Sequence, residues 1–570
     1  MTVALPDVLR RRAIEEPERI AYRFLDENGD ETTILTYRAL YDQALATAEQ
    51  LNEACASGDR ALLVFGHGQE FLVAFFGCLY ARVIPVPVNP PRRDRVQEAT
   101  RAIVVDCRPS AVLTTSSMRA ALVPALSEIH PVRRWLAVDE IPAIPDAFEP
   151  EPTALDTLAF LQYTSGSTST PKGVRVTHRN LVANQEMIRL GFGHDRDSTV
   201  VGWAPLFHDQ GLIGNVLQPL YVGAPSILLA PSTFIRRPLL WLTSISRYRA
   251  HTSGGPNFAF DACVARAAAG TMPDLELSSW RVAFNGAEPI RAATLARFTE
   301  TFAPHGFSNN SWYPCYGLAE ATLLVTGSWP GRGPRTVDAD ADALRLRRYV
   351  HTEAGTNTLL GSGRVLPGQS LRLVDPYTRL PCDADRVGEI WVSGDHVAQG
   401  YWDNPEATER TFLARCADEP DRTYLRTGDL GLLVDDELYV VSRLKDVLIV
   451  RGRNYYPHDI EYTAAAAHSD LRAGGGAAFT VPGREADRVV LVQETRRDAV
   501  DIDRTEITGA IKAAVLREHG LSIAEVVLAP AGTLHKTSSG KIMRADARDR
   551  YSTTGSGSEP TPVDQPARQR

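Results

Sequence analysis

The chain has 570 residues and carries 61 Lys and Arg against 69 Asp and Glu, a net charge of −8. Hydrophobic residues at 44% and charged residues at 23% describe an ordinary globular protein with a sizeable core and room for roughly three or four domains. The acidic balance gives no ground for nucleic acid or an anionic membrane as the main partner. Seven cysteines (Cys55, Cys78, Cys107, Cys263, Cys315, Cys382, Cys416) form no close pair, which argues against a zinc knuckle or a disulfide framework and suits a reducing cytoplasm.

The opening segment "MTVALPDVLRRRAIEEPERIAYRF" has no apolar run of signal-peptide length, so a cytoplasmic protein is expected. No run of about 18 apolar residues occurs, so no membrane span is expected. The oiliest stretch, "FLVAFFGCLYARVIPVPV", is broken by Arg82 and two prolines and reads as a buried helix entering a strand. "RALLVFGHGQEFLVAFFGCLYARVIPVPVNPP" reads strand, turn, helix, strand, and short runs such as "AVLTT", "RWLAVD", "STVVGWAPL", "APSILLAP" and "WRVAFNGAEPI" repeat the theme between helical stretches. Alternating strands and helices imply parallel sheets of the doubly wound kind, with ligands beyond the carboxyl ends of strands.

From about Gly361 the texture changes to alternating strands with turns, as in "QSLRLVDPYTRLP", "VGEIWVSGDHVAQGYW" and "DELYVVSRLKDVLIVRGRNYYP". This predicts an antiparallel or barrel-like unit. A smaller α+β segment follows "SRLKD", and the last 20 or so residues are rich in Pro, Ser and Gly, which predicts a disordered tail. Residues 331–360 are poor in hydrophobics and read as an insertion.

"YTSGSTSTPKGV", starting at Tyr163, sits between the apolar run "LAFLQ" and "VRVTHRNL", which opens a helix. Glycines let backbone N–H groups converge, hydroxyls add donors and a lysine adds charge, together a nest for polyphosphate. Thr164, Ser165, Gly166, Ser167, Thr168 and Lys172 supply those groups. The P-loop order is not met, because the lysine precedes the second glycine. Taken alone, a solvated Ser/Thr linker is an equal reading.

The stretch resembles the phosphate-binding loop of the adenylate-forming superfamily: acyl-CoA synthetases, peptide-synthetase adenylation domains and luciferases. Further motifs follow in the superfamily's order: "NGAEPI" on the adenine side, "YGLAEATL", "YLRTGDLG" for the ribose, "SRLKDVLIVRGRNYYPHDIE" at the hinge and "HKTSSGKIMR" in the C-terminal catalytic loop. Within the superfamily, "AFFGCLYARVIPVPVNPP", "WAPLFHDQGLIG", "SGGPNFAFD" and "VRGRNYYPHDIE" are most similar to the fatty acyl-AMP ligases. Residues 331–360 sit where that subfamily has an extra segment associated with poor use of coenzyme A. Ser442 stands where the superfamily usually has glycine and His535 where it usually has proline.

The resemblance implies roles for individual residues. Thr164 to Thr168 and Lys172 would cradle the ATP phosphates; Asn285, Gly286, Ala287 and Glu288, with Tyr316, Gly317 and Leu318, would surround adenine. Asp429 would hold the ribose hydroxyls, and Arg443 the ribose or phosphate. Glu320 would ligate Mg²⁺. Lys541 would bridge the reacting carboxylate and α-phosphate, and Lys445 would be the hinge. His208, with no third ligand near it and no need for a base on an ionised acid, would shape the wall between nucleotide and acyl group. Gly254, Gly255, Phe258 and Phe260 would line the acyl site. Each residue has an ordinary reading as well: Asp429 as a turn residue, Tyr316 as core, Lys541 as a solvated lysine. No G-x-S-x-G elbow occurs to support a hydrolase.

The expectation is an α/β enzyme. An N-terminal adenylation domain (1–444), with α/β sheets and a β-rich subdomain, would precede a small mobile α+β domain (445–549) and a disordered tail (550–570). It would use ATP and Mg²⁺ to convert a fatty acid to acyl-AMP, then pass the acyl group to the phosphopantetheine of an acyl carrier protein supplied by another chain, with CoA used poorly or not at all. An acyl-CoA synthetase, an aryl or amino acid adenylating enzyme, and a nucleotide-binding scaffold without catalysis remain as alternatives.

Overall fold

The computed structural model describes residues 3–91, 96–142, 148–164, 171–270, 272–353, 357–483, 487–499, 502–537 and 540–554. Two sheets dominate. A four-stranded all-parallel sheet orders Ile84–Val88, Arg60–Val64, Ala111–Thr114 and Arg134–Ala137. Its strands IPVPV, RALLV, AVLT and RWLA are largely apolar and mostly buried, as sheets covered on both faces require. The helix Gln69–Tyr80 is almost wholly buried and enters the strand at Ile84, the arrangement read from "FLVAFFGCLYARVIPVPV".

The second sheet has a parallel centre. Ser226–Leu229, Val200–Gly202, Thr252–Gly255, Val282–Asn285 and Trp312–Gly317 run side by side. Below them Trp241, Trp280, Trp312, Phe260 and Phe298 form an aromatic core. Leu324–Gly327 then doubles back antiparallel to Trp312–Gly317. Through Arg364–Val365 it leads into Glu437–Arg443, Glu419–Val434, Gly388–Gly394 and Gln369–Val374. The antiparallel strands expected after Gly361 are therefore present, but as an extension of the central sheet and not as a barrel. One reversing strand supplies the join, and its pairing cannot be read from local alternation.

Beyond Arg443 the chain forms a hairpin, Leu448–Val450 with Arg453–Tyr455, and a three-stranded sheet. In that sheet Leu471–Val481 pairs antiparallel and Glu525–Ala529 parallel with Arg488–Thr495. The helices Pro457–Ala466 and Arg504–His519 cover a separate core.

Residues 331–360 are more integrated than an insertion poor in hydrophobics leads one to expect. Thr336–Asp338 pairs with Thr358–Leu360, and Ala339 and Leu344 are buried with Tyr439 and Tyr456. The Tyr456 hydroxyl donates to Leu344 O at 3.1 Å and Asn454 Nδ2 to Arg345 O at 2.8 Å. This segment thus grips the chain just past the hairpin. No helix among the described residues is long and apolar enough to cross a membrane.

Candidate active site

The carboxyl ends of the parallel strands open into a cleft of about 720 Å³. The hairpin Leu158–Thr164/Lys172–Thr177 forms one wall; Ser165, Gly166, Ser167 and Thr168 lie outside the described residues. Thr164 and Lys172 line the cleft. The Lys172 ammonium sits 4.8 Å above the Tyr401 ring, and the Tyr401 hydroxyl donates to Glu320 Oε1 at 2.9 Å. This places the single carboxylate predicted to hold a metal beside the end of the phosphate loop. No group of three or more His, Cys, Asp or Glu that could hold a metal occurs among the described residues. A lone carboxylate fits Mg²⁺, which takes most of its oxygens from phosphate and water.

Opposite, Asp429 uses both carboxylate oxygens. Tyr316 donates its hydroxyl to Oδ2 at 2.8 Å, and Arg443 Nε lies 3.0 Å from Oδ1. The Asp429 carboxylate holds the Arg443 guanidinium more firmly protonated than usual. Tyr316, Gly317 and Leu318 line the cleft, with Gly286 and Ala287 across from them. Ala287 has φ +70°, a conformation that costs a non-glycine residue energy and is commonest at functional sites. Asn285 is completely buried, and neither side-chain amide atom has a hydrogen-bond partner. Asn285 thus sits behind Gly286 and Ala287 and, unlike them, does not line the cleft.

Several expected contributors have other duties. Glu288 does not line the cleft; its Oε1 accepts the Asn257 backbone N–H at 2.9 Å, capping the helix Asn257–Ala269, where a carboxylate suits the dipole. Gly317 is a glycine because a Cβ there would collide with the Leu323 carbonyl, a backbone approach within the protein and not one to a ligand. Phe258 lines the cleft, whereas Phe260 is fully buried against Trp312 and Phe298. Residues two apart on a helix face different ways, so the two cannot share one wall. Gly254 and Gly255 line the cleft as expected.

His208 and Asp209 form an ion pair, Nδ1 to Oδ1, at 2.5 Å. Burial alone would lower the His208 pKa, but the Asp209 charge outweighs it and the net shift is upward. Asp209 moves the other way: desolvation opposes, and His208 prevails to lower it. Gln162 Nε2 donates to Phe207 O at 3.1 Å and anchors the segment that presents the pair. Residues Gln210–Leu217 continue as a π-helix, a form frequent at functional sites and one that no sequence periodicity foretold.

The C-terminal part closes the cleft. Lys445 and Lys541 both line it, and Gly540 lies against the Phe258 ring. The loop bearing Lys541 is shaped by its own hydrogen bonds: Lys541 N–H donates to Thr537 Oγ1 at 3.1 Å, and Thr537 N–H to Lys541 O at 2.8 Å. Arg544 clamps it to the segment after Lys445 through Asp446 at 3.0 Å and to Glu461 at 2.6 Å. Burial and the nearby Arg443 charge lower the Lys541 pKa; the same two causes lower that of Lys445.

Sequence reasoning missed Tyr401, Arg410, Thr411, Arg426 and Arg544, all of which line the cleft. Lysine scarcity, a signal the sequence does carry, points only to residues the motifs already name. Of the 61 basic side chains, only Lys172, Lys445, Lys512, Lys536 and Lys541 are lysines, and three of them meet here. In a chain that otherwise uses arginine, Lys172, Lys445 and Lys541 place a compact ammonium in the cleft in place of a planar fork.

Comparison with known proteins gives a consistent picture. The family described as AMP-binding enzyme matches residues 9–402, and that described as Disco-interacting protein 2-like, AMP domain, matches residues 445–556. The chain is 42% identical over 560 residues, 96% of its length and 95% of the relative's, to the medium-chain-fatty-acid–[acyl-carrier-protein] ligase JamA of Moorena producens. It is 37% identical, covering 97% and 98% of the two chains, to the long-chain-fatty-acid–AMP ligase FadD26 of Mycobacterium marinum. Among solved structures, the fatty acyl-adenylate ligase of L. pneumophila in complex with acyl adenylate and pyrophosphate superposes with a TM-score of 0.76 at 37% identity, over 96% and 95% of the chains.

Proposed function

The chain belongs to the AMP-binding enzymes, and from that premise we propose that it activates a fatty acid as acyl-AMP and hands the acyl group to the phosphopantetheine thiol of a separate acyl carrier protein. A carboxylate oxygen of the acid attacks the α-phosphorus of ATP, and the bond to the β-phosphate oxygen breaks, releasing pyrophosphate. The thiol sulfur then attacks the acyl carbon; the bond to AMP breaks, AMP leaves with its electron pair, and the thiol proton passes to solvent.

One observation carries this reading most: Lys541, from the C-terminal loop, lines the same cleft as Arg443, Glu320 and His208, with Asp429 held just behind it by Tyr316 and Arg443. A desolvated ammonium there neutralises charge as carboxylate and α-phosphate approach, where fixed charges act most strongly. Asp429 and Arg443 hold the ribose, the Tyr316 ring faces the base, and Thr164 and Lys172 hold the phosphates. Glu320 would hold Mg²⁺, which would supply charge neutralisation on the triphosphate. Orienting both substrates removes much of the entropic barrier. The His208–Asp209 pair walls the junction between nucleotide and acyl group. Rotation near Lys445 then withdraws Lys541 and admits the thiol. The grip of residues 339–345 on Asn454 and Tyr456 restrains that rotation and favours a carrier that docks over free CoA.

Mass spectrometry of the purified protein with Mg-ATP and acids from C4 to C18, plus aryl acids, tests the proposal. Acyl-AMP from fatty acids, transferred to a phosphopantetheinylated carrier and little to CoA, is the expected result. Rapid acyl-CoA formation would replace the carrier with CoA; adenylation of aryl acids alone would remove the fatty acid.

A further inference from the structure

The cleft extends past the reacting centre as a limb beneath the helix His178–Phe192, along the face of the parallel strands. Register places Thr252 beside Val200 and Gly254 beside Phe284, and all four line the limb. Ser253 points to the opposite face, where it accepts from Trp241 Nε1. Near the centre the limb is walled by aromatic rings. At the other end of the strands, three residues or about 10 Å from Gly255, its wall becomes polar.

That wall is His194 and Thr252, 4% and 2% exposed. Gln218 Nε2 donates to His194 Nδ1 at 3.4 Å, which leaves the ring hydrogen on Nε2, 2.7 Å from Thr252 Oγ1. Thr252 Oγ1 is also 2.9 Å from Nδ1 of the half-buried His251. Desolvation keeps His194 neutral down to about pH 3. Thr252 therefore accepts from His194 and keeps its own hydroxyl hydrogen free to turn from His251 toward the limb.

An all-apolar tunnel strips water from a terminal oxygen and returns nothing. This one ends in a neutral hydroxyl, held by His194, that both donates and accepts. We propose that the limb accepts medium-chain acids, about eight to twelve carbons at about 1.25 Å advance per bond, bearing a hydroxyl or keto oxygen at the end remote from the carboxylate. Thr252 makes the hydrogen bond and His194 positions it. The inference rests on the fatty acid reading above, and it makes this enzyme a consumer of products of terminal-carbon oxidation.

The test measures kcat/KM for pyrophosphate release with Mg-ATP and decanoate, 10-hydroxydecanoate or hexadecanoate, using the full-length wild type and the Thr252→Val and Thr252→Ser variants. Wild type is expected to use 10-hydroxydecanoate at least as well as decanoate, and both better than hexadecanoate. Thr252→Val should lower the hydroxy-to-plain ratio about tenfold, the loss of one buried hydrogen bond, and Thr252→Ser should restore it. The inference is overturned if wild type rejects 10-hydroxydecanoate by about thirtyfold or more, as an apolar wall would. A ratio unchanged in Thr252→Val, or a preference for hexadecanoate, overturns it too. Turnover of decanoate with rejection of its hydroxy counterpart sinks this inference alone; no turnover of any acid sinks the fatty acid reading with it.

Discussion

Tyr316 donates its hydroxyl hydrogen to Asp429 Oδ2 at 2.8 Å, so the ring proposed to face the base and the carboxylate proposed to hold the ribose form one unit. The bond spans two distant parts of the central sheet, the strands Trp312–Gly317 and Glu419–Val434. Removing the hydroxyl leaves Arg443 as the carboxylate's remaining partner at this edge. Tyr316→Phe should therefore raise KM for ATP about tenfold while leaving KM for the acid nearly unchanged, given that a hydrogen bond to a charged group contributes about 1.5–3 kcal/mol. Equal changes in both constants would mean that the bond serves folding alone.

The proposed function divides the two half-reactions at Lys541: on that reading its ammonium serves adenylation and is withdrawn before the thiol arrives. Lys541→Ala should lower acyl-AMP formation by about 10²–10³, the scale for removing one preorganised electrostatic contact. Transfer from supplied acyl-AMP to a carrier should stay within a few-fold. A variant that loses both halves equally would place Lys541 outside this division of labour.

The His208–Asp209 pair predicts a pH window. The His208 pKa lies above its ordinary 6.5, so its contribution to stability is full below 6.5 and fades as the pH rises through the raised value. The Asp209 pKa lies below its ordinary 3.8, so its contribution is full above 3.8 and fades as the pH falls through the lowered value. Wild type should exceed Asp209→Asn by about 2 kcal/mol between those ordinary values. The advantage should shrink toward alkaline pH and in strong acid. Denaturant melts at several pH values check this; a constant difference would remove the charge from the explanation.

The sequence revealed those parts of the site whose chemistry is local. A Gly-Asp turn, a lysine on a glycine loop and an acid after an aromatic-glycine step can each be read within a few residues; Lys541 and Glu320 line the cleft, and Asp429 is bonded to Tyr316 and Arg443, which do. What escaped depends on tertiary approach. Glu288 caps a helix that starts 31 residues before it, and Gly317 is dictated by the Leu323 carbonyl. Tyr401 meets Glu320 across 81 residues. The continuity of the central sheet turned on the pairing of Leu324–Gly327 with strands before and after it, a choice that alternation alone leaves open.

Phe258 and Phe260 give the sharpest contrast between the two kinds of residue. They are neighbours in "NFAFD" and share a helix, yet one ring lines the cleft beside Gly540 and the other is enclosed by Trp241, Trp280, Phe298 and Trp312. Phe260→Ala should cost about 3–5 kcal/mol in unfolding free energy, the range for emptying an aromatic site in a packed core, and should affect activity only through the amount of folded protein. Phe258→Ala, from a ring 36% exposed, should change stability by less than about 1 kcal/mol and alter KM for the acid. Denaturant unfolding and acid-dependent kinetics on both variants decide the matter. If Phe260→Ala shifts acid selectivity at full stability, the limb reaches deeper into the aromatic core than its lining indicates.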